Sequence, residues 1–293
     1  KLGTPTLQSP VSQDRIALLH KALVFGIRDY FEKNGFQKAI LGLSGGIDSA
    51  VVAALAAEAL GAQNVMGLLM PSCYSTEHSV QDALALAENI GMPHETIAIK
   101  AIYEQYLEAL HPLFKDQPFN VAEENLQART RGILVMAMSN KYGYIPLNTS
   151  NKSEAAVGYG TLYGDTVGAL SIIGDLYKSE VYDLARYINR QREIIPLNTI
   201  MKAPSAELRL EQKDSDSLPP YDVLDAILYR MIEEGQSREE IINAGFDEDE
   251  VYKVYNLVVK SEFKRYQSCP TLRLSTRPMR TGRTMPLTNK YGC

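Results

Sequence analysis

A short polar turn with the sequence SGGIDS, at residues 44–49, lies between an apolar run and an alanine-rich segment. Two adjacent glycines allow the backbone to turn tightly and to approach a ligand closely. The hydroxyl groups of Ser44 and Ser49 could bind phosphate oxygens, together with the N–H groups at the start of the following helix. The turn is not a Walker A loop, because no lysine follows the glycines.

Asp48 could have either of two roles in this turn. Its carboxylate could hold a Mg²⁺ ion that bridges phosphate groups, because Mg²⁺ prefers oxygen ligands. It could equally cap the helix without any ligand. The six residues alone leave both interpretations open, so the elements around them must be considered.

Strands and helices are expected to alternate around the turn. Apolar runs predict strands over 38–43, 65–70, 95–99 and 144–148. Helical spacing of apolar residues, with glycine stops, predicts helices over 14–34, 48–60, 75–90 and 123–141. This alternation is typical of an α/β fold, a doubly wound parallel sheet with helices on both faces.

The pattern changes after residue 150 and becomes mainly helical. Helices are predicted over 178–192, 222–234 and 247–267, with a short one after Ser237. The polar segment 207–220, which ends in two prolines, predicts a long surface loop. Residues 1–11 predict a linker, which leaves 12–293 as the domain. Its last part, 263–293, is a basic extension with seven basic side chains and no acidic one.

The composition argues against several classes of protein. A net charge of −5 does not favour binding to nucleic acid. No apolar run approaches the about 18 residues that a membrane span needs. Three widely spaced cysteines make a disulfide framework unexpected, so a reducing, cytoplasmic setting fits best.

Several motifs in order resemble the NAD synthetases, a family of N-type ATP pyrophosphatases, and the turn at 44–49 resembles their pyrophosphate loop. The other motifs are MPS (70–72) with YS (74–75), ENLQARTR (124–131), NTSNKSE (148–154), GYGTLYGD (158–165) with GDLYK (174–178), and PSAEL (204–208) with DSLPPYD (216–222). Cys73, between the two parts of the first motif, departs from the family pattern. Their order and spacing match the family from about Leu19 to Tyr291. The resemblance implies an adenine nucleotide alpha hydrolase-like fold.

The resemblance also implies a reaction in two steps. The nicotinate carboxylate of deamido-NAD attacks the α-phosphorus of ATP and forms an adenylate and pyrophosphate. Ammonia then attacks the activated carbonyl group, and AMP leaves. Such chemistry depends on positioning and charge neutralisation more than on a protein nucleophile. No Ser/His/Asp or Cys/His arrangement is evident in the sequence.

The family motifs imply roles for particular residues. The catalytic residues would be Asp48, Glu154 and Lys178, and the two acids would hold Mg²⁺. The ATP-binding residues would be Leu43, Ser44, Gly45, Gly46, Asp48, Ser49, Met70, Thr149, Lys178 and Ser205. The residues that bind deamido-NAD would be Asn125, Arg129 and Asp165.

Each implied role has a simpler alternative. Glu154 could be a solvated residue in the first turn of a helix, and Lys178 could be a surface lysine. Thr149 and Ser205 could be turn or cap residues. The other candidates could be core residues (Leu43 and Met70), a polar helix face (Asn125 and Arg129) or a loop residue (Asp165).

Two segments resemble the glutamine-dependent branch of the family: the lead-in at 22–30 and the tail from 263 to 286. In that branch a nitrilase-like glutaminase domain precedes the synthetase domain. Leu162 agrees with this branch, because the ammonia-only branch has a lysine there. The resemblance therefore implies a synthetase domain that uses free ammonia or a missing glutaminase partner. It also implies a homodimer with shared active sites.

Two other functions stay open on the sequence alone. One is a different N-type ATP pyrophosphatase, such as a GMP synthetase-like amidotransferase. The other is a module that binds ATP without catalysing a reaction.

Overall fold

A computed structural model of the chain describes residues 12–210 and 212–287. The predicted linker 1–11 lies outside the described residues. The strands are β1 (Ala39–Gly42), β2 (Val65–Leu69), β3 (His94–Thr96), β4 (Ile145–Asn148) and β5 (Leu170–Ser171). They form a five-stranded parallel sheet in the order β3-β2-β1-β4-β5.

The α-helices follow the predicted alternation in the first half and dominate the second half. The first group is α1 (Gln13–Asn34), α2 (Ile47–Leu60), α3 (Glu77–Ile90), α4 (Lys100–Phe114), α5 (Val121–Tyr142) and α6 (Lys152–Val157). The second group is α7 (Lys178–Ile188), α8 (Leu197–Met201), α9 (Tyr221–Ile232), α10 (Arg238–Asn243), α11 (Glu248–Lys260) and α12 (Glu262–Arg265). Glycines in the left-handed conformation end several of them, as at Gly35 and Gly91.

The sheet has helices on both faces, as predicted. Successive side chains of a strand point to opposite faces. In β1, Leu41 joins the large apolar core with residues of α1, α2 and α7, whereas Ile40 joins a smaller core with Val135 of α5. The doubly wound α/β fold is therefore confirmed.

The helical C-terminal part has its own apolar core. Buried residues of α9 and α11, among them Leu224, Ile227 and Val254, pack together with Val157 of α6. The predicted single helix 247–267 is wrong, because the chain breaks at Ser261 between α11 and α12. The Ser261 hydroxyl donates to the carbonyl oxygen of Val157 at 2.9 Å, which fixes this break against α6.

A fully buried lysine attaches the basic extension to the fold. The Lys152 ammonium lies 2.9 Å from Asp175 Oδ1 and 2.5 Å from Glu233 Oε1, and it donates to Ser275 Oγ at 2.7 Å. A buried charge needs such partners, because desolvation alone disfavours it strongly. These contacts therefore fix the described part of the extension against α6, the helix that carries Lys152.

Two connecting segments differ from the sequence-based picture: one expectation is wrong, and one helix was not predicted. The segment 207–220 is not simply a surface loop, because Leu208, Asp214 and Leu218 are all buried. Helix α4 was not predicted at all. Apolar residues over 102–110 recur at helical spacing, so the sequence carries a signal for this helix. None of the described helices is long and apolar enough to cross a membrane.

The strand order places several chain ends together. In chain order, β2 and β3 are added on one side of β1, and β4 and β5 on the other side. The strand order therefore reverses between β1 and β4. Ligands of open parallel sheets bind at such a reversal, outside the carboxyl ends of the strands. Ser44 follows β1 and Thr149 follows β4, so both lie at this point.

Candidate active site

A cleft of about 330 Å³ opens at the carboxyl ends of β1, β2 and β4. Most of the predicted site residues line it: Leu43, Ser44, Gly46, Asp48, Ser49, Met70, Thr149, Glu154, Asp165, Lys178 and Ser205. In the described part of the chain, Gly45, Asn125 and Arg129 do not line this cleft. The sequence motifs, distant along the chain, therefore meet at one place.

The turn at 44–49 is ordered by its own hydrogen bonds. The Ser44 and Ser49 hydroxyl oxygens lie 3.1 Å apart, and the Gly46 N–H donates to Ser44 Oγ at 3.2 Å. Gly45 has a φ of 78°, and a Cβ atom there would lie 2.1 Å from the carbonyl oxygen of Ser79. Only glycine fits this close approach between the turn and α3.

The start of α2 lacks a side-chain cap. Its N-cap residue is Gly46, and no side chain accepts a hydrogen bond from the first turn. The interpretation of Asp48 as a simple helix cap is therefore wrong. Uncapped N–H groups and the positive end of the helix dipole favour an anion at this position.

Asp48 instead belongs to a cluster with two residues that are distant in sequence. Its Oδ2 atom lies 2.5 Å from the Lys178 ammonium, and its Oδ1 atom accepts a hydrogen bond from Asn151 Nδ2 at 2.9 Å. The same ammonium lies 3.1 Å from Glu154 Oε1. One lysine therefore bridges the two predicted metal ligands.

The local structure explains how Glu154 and Lys178 reach this cluster. Glu154 is the third residue of α6, where its N–H donates to Oδ1 of the N-cap residue Asn151 at 3.0 Å. Lys178 is the first residue of α7 and is only 2% exposed. The alternatives of a solvated acid and a surface lysine are therefore wrong.

Burial dominates the electrostatics of the cluster. Burial and the nearby Asp48 carboxylate raise the pKa of Glu154 to about 7, against the opposing effect of the Lys178 charge. For Lys178, the Asp48 and Glu154 carboxylates outweigh burial and raise its pKa above the usual value. In this cluster, one charged lysine is therefore shared by the two acids.

Replacing Glu154 with glutamine should stabilise the protein, without bound nucleotide or metal, by about 3 kcal/mol at about pH 8. The pKa of Glu154 in the folded state, about 7, lies above the ordinary glutamate value of 4.5. Its contribution to stability is therefore present below pH 4.5 and is lost as the pH rises through 7. Urea unfolding at several pH values measures the difference. The two proteins should converge near pH 4.5, and a constant gap across the range would contradict this.

The donor set of the cluster fits a hard divalent cation. The Lys178 ammonium already lies against an oxygen of each acid, so one cation can satisfy both carboxylates. Among the described residues, no group of three or more His, Cys, Asp or Glu side chains could hold a metal ion. An ion at Asp48 and Glu154 would therefore take its other ligands from phosphate oxygens or water, as Mg²⁺ commonly does.

The three residues predicted to bind deamido-NAD converge on one loop. Asn125 Oδ1 accepts a hydrogen bond from the Thr161 hydroxyl at 2.7 Å, and Arg129 Nε donates to the Leu162 carbonyl at 3.2 Å. Asp165 Oδ1 accepts the Thr161 N–H at 2.7 Å. Asn125 and Arg129, four residues apart, therefore share a face of α5, and both hold the loop that carries Asp165. Burial raises the pKa of Asp165 to about 6.

Arg131 is a cleft residue that the sequence analysis missed. Its Nε donates to the Met70 carbonyl at 3.0 Å, and in the described chain no salt bridge neutralises its guanidinium. Burial lowers its pKa from the usual value. Helical spacing places Arg131 on the same face of α5 as the apolar residues Ala128 and Val135, which are buried. This spacing could have identified Arg131 from the sequence. A cation on the inner face of a helix needs an anion or a ligand.

Asp214 is a second residue that was missed, in the segment expected to be a surface loop. It lines the cleft and accepts hydrogen bonds from the hydroxyls of Tyr159 at 3.1 Å and Tyr221 at 2.9 Å. The Tyr221 ring also lies 5.0 Å from the Lys178 ammonium. The segment 207–220 is polar in composition, so the sequence did not show that Asp214 is buried. The hydrogen-bond partners of Asp214 lie outside this segment.

A parallel sheet with an uncapped, glycine-rich turn at its reversal point is typical of nucleotide-binding α/β proteins. The family model described as NAD synthase matches residues 19–268. The chain therefore belongs to the NAD synthase family, and the resemblance in the motifs is confirmed.

The relatives show how much of such a protein the chain covers. It is 57% identical over 273 residues to the glutamine-dependent NAD(+) synthetase of Synechocystis sp., a match that spans 93% of this chain and 49% of that protein. The chain thus spans about half the length of the curated relatives it matches.

Solved structures agree with this family. The structure of a glutamine-dependent NAD⁺ synthetase from Acinetobacter baumannii in complex with ADP has 41% identity and a TM-score of 0.64. The match covers 96% of this chain and 51% of that one. The NMN synthetase from Francisella tularensis has 30% identity and a TM-score of 0.73, with 85% and 95% covered.

Proposed function

We propose that this chain catalyses the ATP-dependent amidation of deamido-NAD to NAD, through an adenylated nicotinate, with release of AMP and pyrophosphate. Residues 12–293 would be the synthetase domain, with 263–293 as its basic extension. One observation carries the proposal: Asp48, Glu154 and Lys178 meet beside the turn at 44–49 in a chain of the NAD synthase family. The nitrogen donor is ammonia, either free or released from glutamine.

The proposed ATP site consists of residues that line the cleft, together with Gly45 of the turn at 44–49. The hydroxyls of Ser44 and Ser49 and the free N–H groups at the start of α2 bind phosphate oxygens. Leu43 and Met70 contact the adenine ring from the ends of β1 and β2. The remaining ATP-binding residues in this proposal are Gly45, Gly46, Thr149 and Ser205.

The cluster neutralises charge during adenylation. Asp48 and Glu154 would hold Mg²⁺, which when bound withdraws negative charge from the phosphate groups. Lys178 provides a fixed positive charge in a desolvated site, where electrostatic interactions are strong. The bond from the α-phosphorus to the pyrophosphate breaks as the bond to the nicotinate oxygen forms.

The proposed deamido-NAD site uses the loop that Asn125 and Arg129 hold. Asn125, Arg129 and Asp165 orient the nicotinate end so that its carboxylate faces the α-phosphorus. Ammonia then forms the amide bond, and AMP leaves with the electrons of the broken carbon–oxygen bond.

The proposed partners come from the family resemblance. The curated relatives are about twice as long as this chain, which supports a nitrilase-like glutaminase domain as the ammonia source. A homodimer with shared active sites is also proposed, and full activity of a strict monomer in sedimentation would contradict it. The free thiols of Cys73 and Cys269 are compatible with a cytoplasmic setting.

The decisive assay supplies the chain with ATP, Mg²⁺, ammonium and deamido-NAD. NAD, AMP and pyrophosphate should form in equal amounts. Nicotinate mononucleotide and XMP serve as alternative acceptors, because an NMN synthetase is similar in structure and GMP synthetases share the reaction type. Turnover of either acceptor without turnover of deamido-NAD would overturn the proposal. Glutamine in place of ammonium tests the nitrogen source.

A further inference from the structure

A buried carboxylate outside the cleft connects the two helices that carry Glu154 and Lys178. Asp225 lies in the first half of α9 and is 2% exposed. Its Oδ1 atom accepts a hydrogen bond from the Ser153 hydroxyl at 2.5 Å, and its Oδ2 atom accepts the Ser179 N–H at 2.8 Å. Ser153 belongs to α6 and Ser179 to α7, so one side chain joins the two helix starts.

The start of α7 depends on these contacts. Its N-cap residue, Tyr177, provides no side-chain cap, although the first N–H groups of a helix have no partner within the helix. The Lys178 N–H donates to Ser153 Oγ at 2.9 Å, and the next N–H goes to Asp225. A negative charge also suits this end of the helix dipole.

The two serines that Asp225 contacts are sequence neighbours of residues in the cluster. Ser153 immediately precedes Glu154, and Ser179 immediately follows Lys178. We infer that Asp225 is a positioning residue, which through Ser153 and Ser179 fixes the Lys178 ammonium relative to the Glu154 carboxylate. This inference rests on the proposed function, since the spacing has a consequence only if the cluster acts on ATP.

If Asp225 is a positioning residue, its loss should slow the chemical step without weakening the binding of ATP. The turn at 44–49 and α2 make no hydrogen bond to Asp225, so phosphate binding there should survive its loss. A displacement of about 1 Å at a reacting group can slow a reaction by about a hundredfold. A residue that only stabilises the fold would lower the folded fraction and leave kcat per folded molecule unchanged, so kcat is normalised to the folded fraction measured by circular dichroism.

Asp225→Asn tests the inference, with Asp222→Asn as its control. The asparagine keeps the size of the side chain but has one accepting oxygen for two donors. Asp222 lies on the same helix and is exposed. We expect kcat for NAD formation to fall by about ten- to a hundredfold in Asp225→Asn, with the KM for ATP changed by less than about threefold. Asp222→Asn should match the wild type.

Ser153→Ala provides a second test that removes only a hydroxyl group. The kcat of Ser153→Ala should fall by at least about threefold. In the variant that combines Ser153→Ala with Asp225→Asn, the fold loss of kcat should be smaller than the product of the two single fold losses, because both substitutions act on one contact. If Asp225→Asn does not fold, Ser153→Ala decides the question.

The outcomes distinguish the two proposals. A wild-type protein that forms no NAD contradicts the proposed function itself. An active wild type whose Asp225→Asn and Ser153→Ala variants both keep kcat within about twofold overturns the positioning role. A rise in the KM for ATP at constant kcat would also overturn it.

Discussion

Replacing Asp48 with asparagine is expected to lower the rate of pyrophosphate release by about a thousandfold and to leave the fold intact. The amide keeps the shape of the side chain, and its one oxygen can accept a hydrogen bond from either Asn151 or the Lys178 ammonium. It cannot provide the negative charge that a Mg²⁺ ligand needs. A lost contribution of several kcal/mol to the transition state corresponds to about this change in rate.

The structure explains why the fold should tolerate this change. Lys178 keeps Glu154 as a partner, so no buried charge is left without an opposite charge. Removal of the Asp48 charge should also lower the pKa of Glu154, because that charge now raises it. Pyrophosphate release in the presence of ATP, Mg²⁺ and deamido-NAD measures the effect.

Glu58→Gln is the matched control, because Glu58 lies on the same helix and is exposed. This variant should release pyrophosphate at the wild-type rate and unfold with only a small change in stability. Pyrophosphate release by Asp48→Asn within about tenfold of the wild type would contradict a metal-binding role, since even a single catalytic hydrogen bond is worth more.

Lys178→Met should remove both activity and stability. The cluster would retain two acids near each other with no cation between them. Removing one partner of a buried ion pair costs about 3–5 kcal/mol, so the variant should be less stable than the wild type by about 3 kcal/mol at pH 8. The rate of adenylation should fall by about a thousandfold, because no fixed charge opposes the phosphates.

The loss of stability should depend on pH in a defined direction. Lys178 now lowers the pKa of Glu154, so its removal moves that pKa further above 7. A protonated Glu154 no longer repels Asp48, and the penalty should therefore shrink as the pH falls through that raised pKa. Urea unfolding of the variant and the wild type between about pH 6 and 9 measures this, because the penalty changes between the wild-type Glu154 pKa of about 7 and the higher pKa in the variant.

Lys202→Met is the control for this variant. Lys202 lines the same cleft, but it pairs with Asp82 at 2.9 Å, outside the cluster. Its replacement should affect adenylation far less than Lys178→Met. Equal losses of activity in the two variants, or a stability gap for Lys178→Met that does not change with pH, would contradict the assigned role.

The sequence predicted the part of the site that is built from local motifs. The turn at 44–49 follows a strand and opens a helix, and this local order is visible in the pattern of apolar residues and glycines. The strand predicted at 38–43 is observed as Ala39–Gly42, and the helix predicted at 123–141 as Val121–Tyr142. The family motifs supplied Glu154 and Lys178, which no local pattern would distinguish from surface residues.

The residues that were missed depend on contacts between distant parts of the chain. Asp214 is buried because two tyrosine hydroxyls, from Tyr159 and Tyr221, satisfy its carboxylate. Glu207 is held by Thr76 and Ser79 at the start of α3. A polar segment without visible partners reads as solvent-exposed, and only the fold reveals those partners. The same holds for Asp225, whose role lies in joining two helix starts.

The central claim is that the turn at 44–49 binds the phosphates of ATP while Asp48 and Glu154 share one divalent ion. A crystal structure with Mg²⁺ and a non-hydrolysable ATP analogue tests it most directly. We expect phosphate oxygens at the N–H groups of the turn, and one ion about 2.1 Å from an oxygen of each acid. A nucleotide bound outside the cleft, or an ion that touches neither carboxylate, would contradict the account.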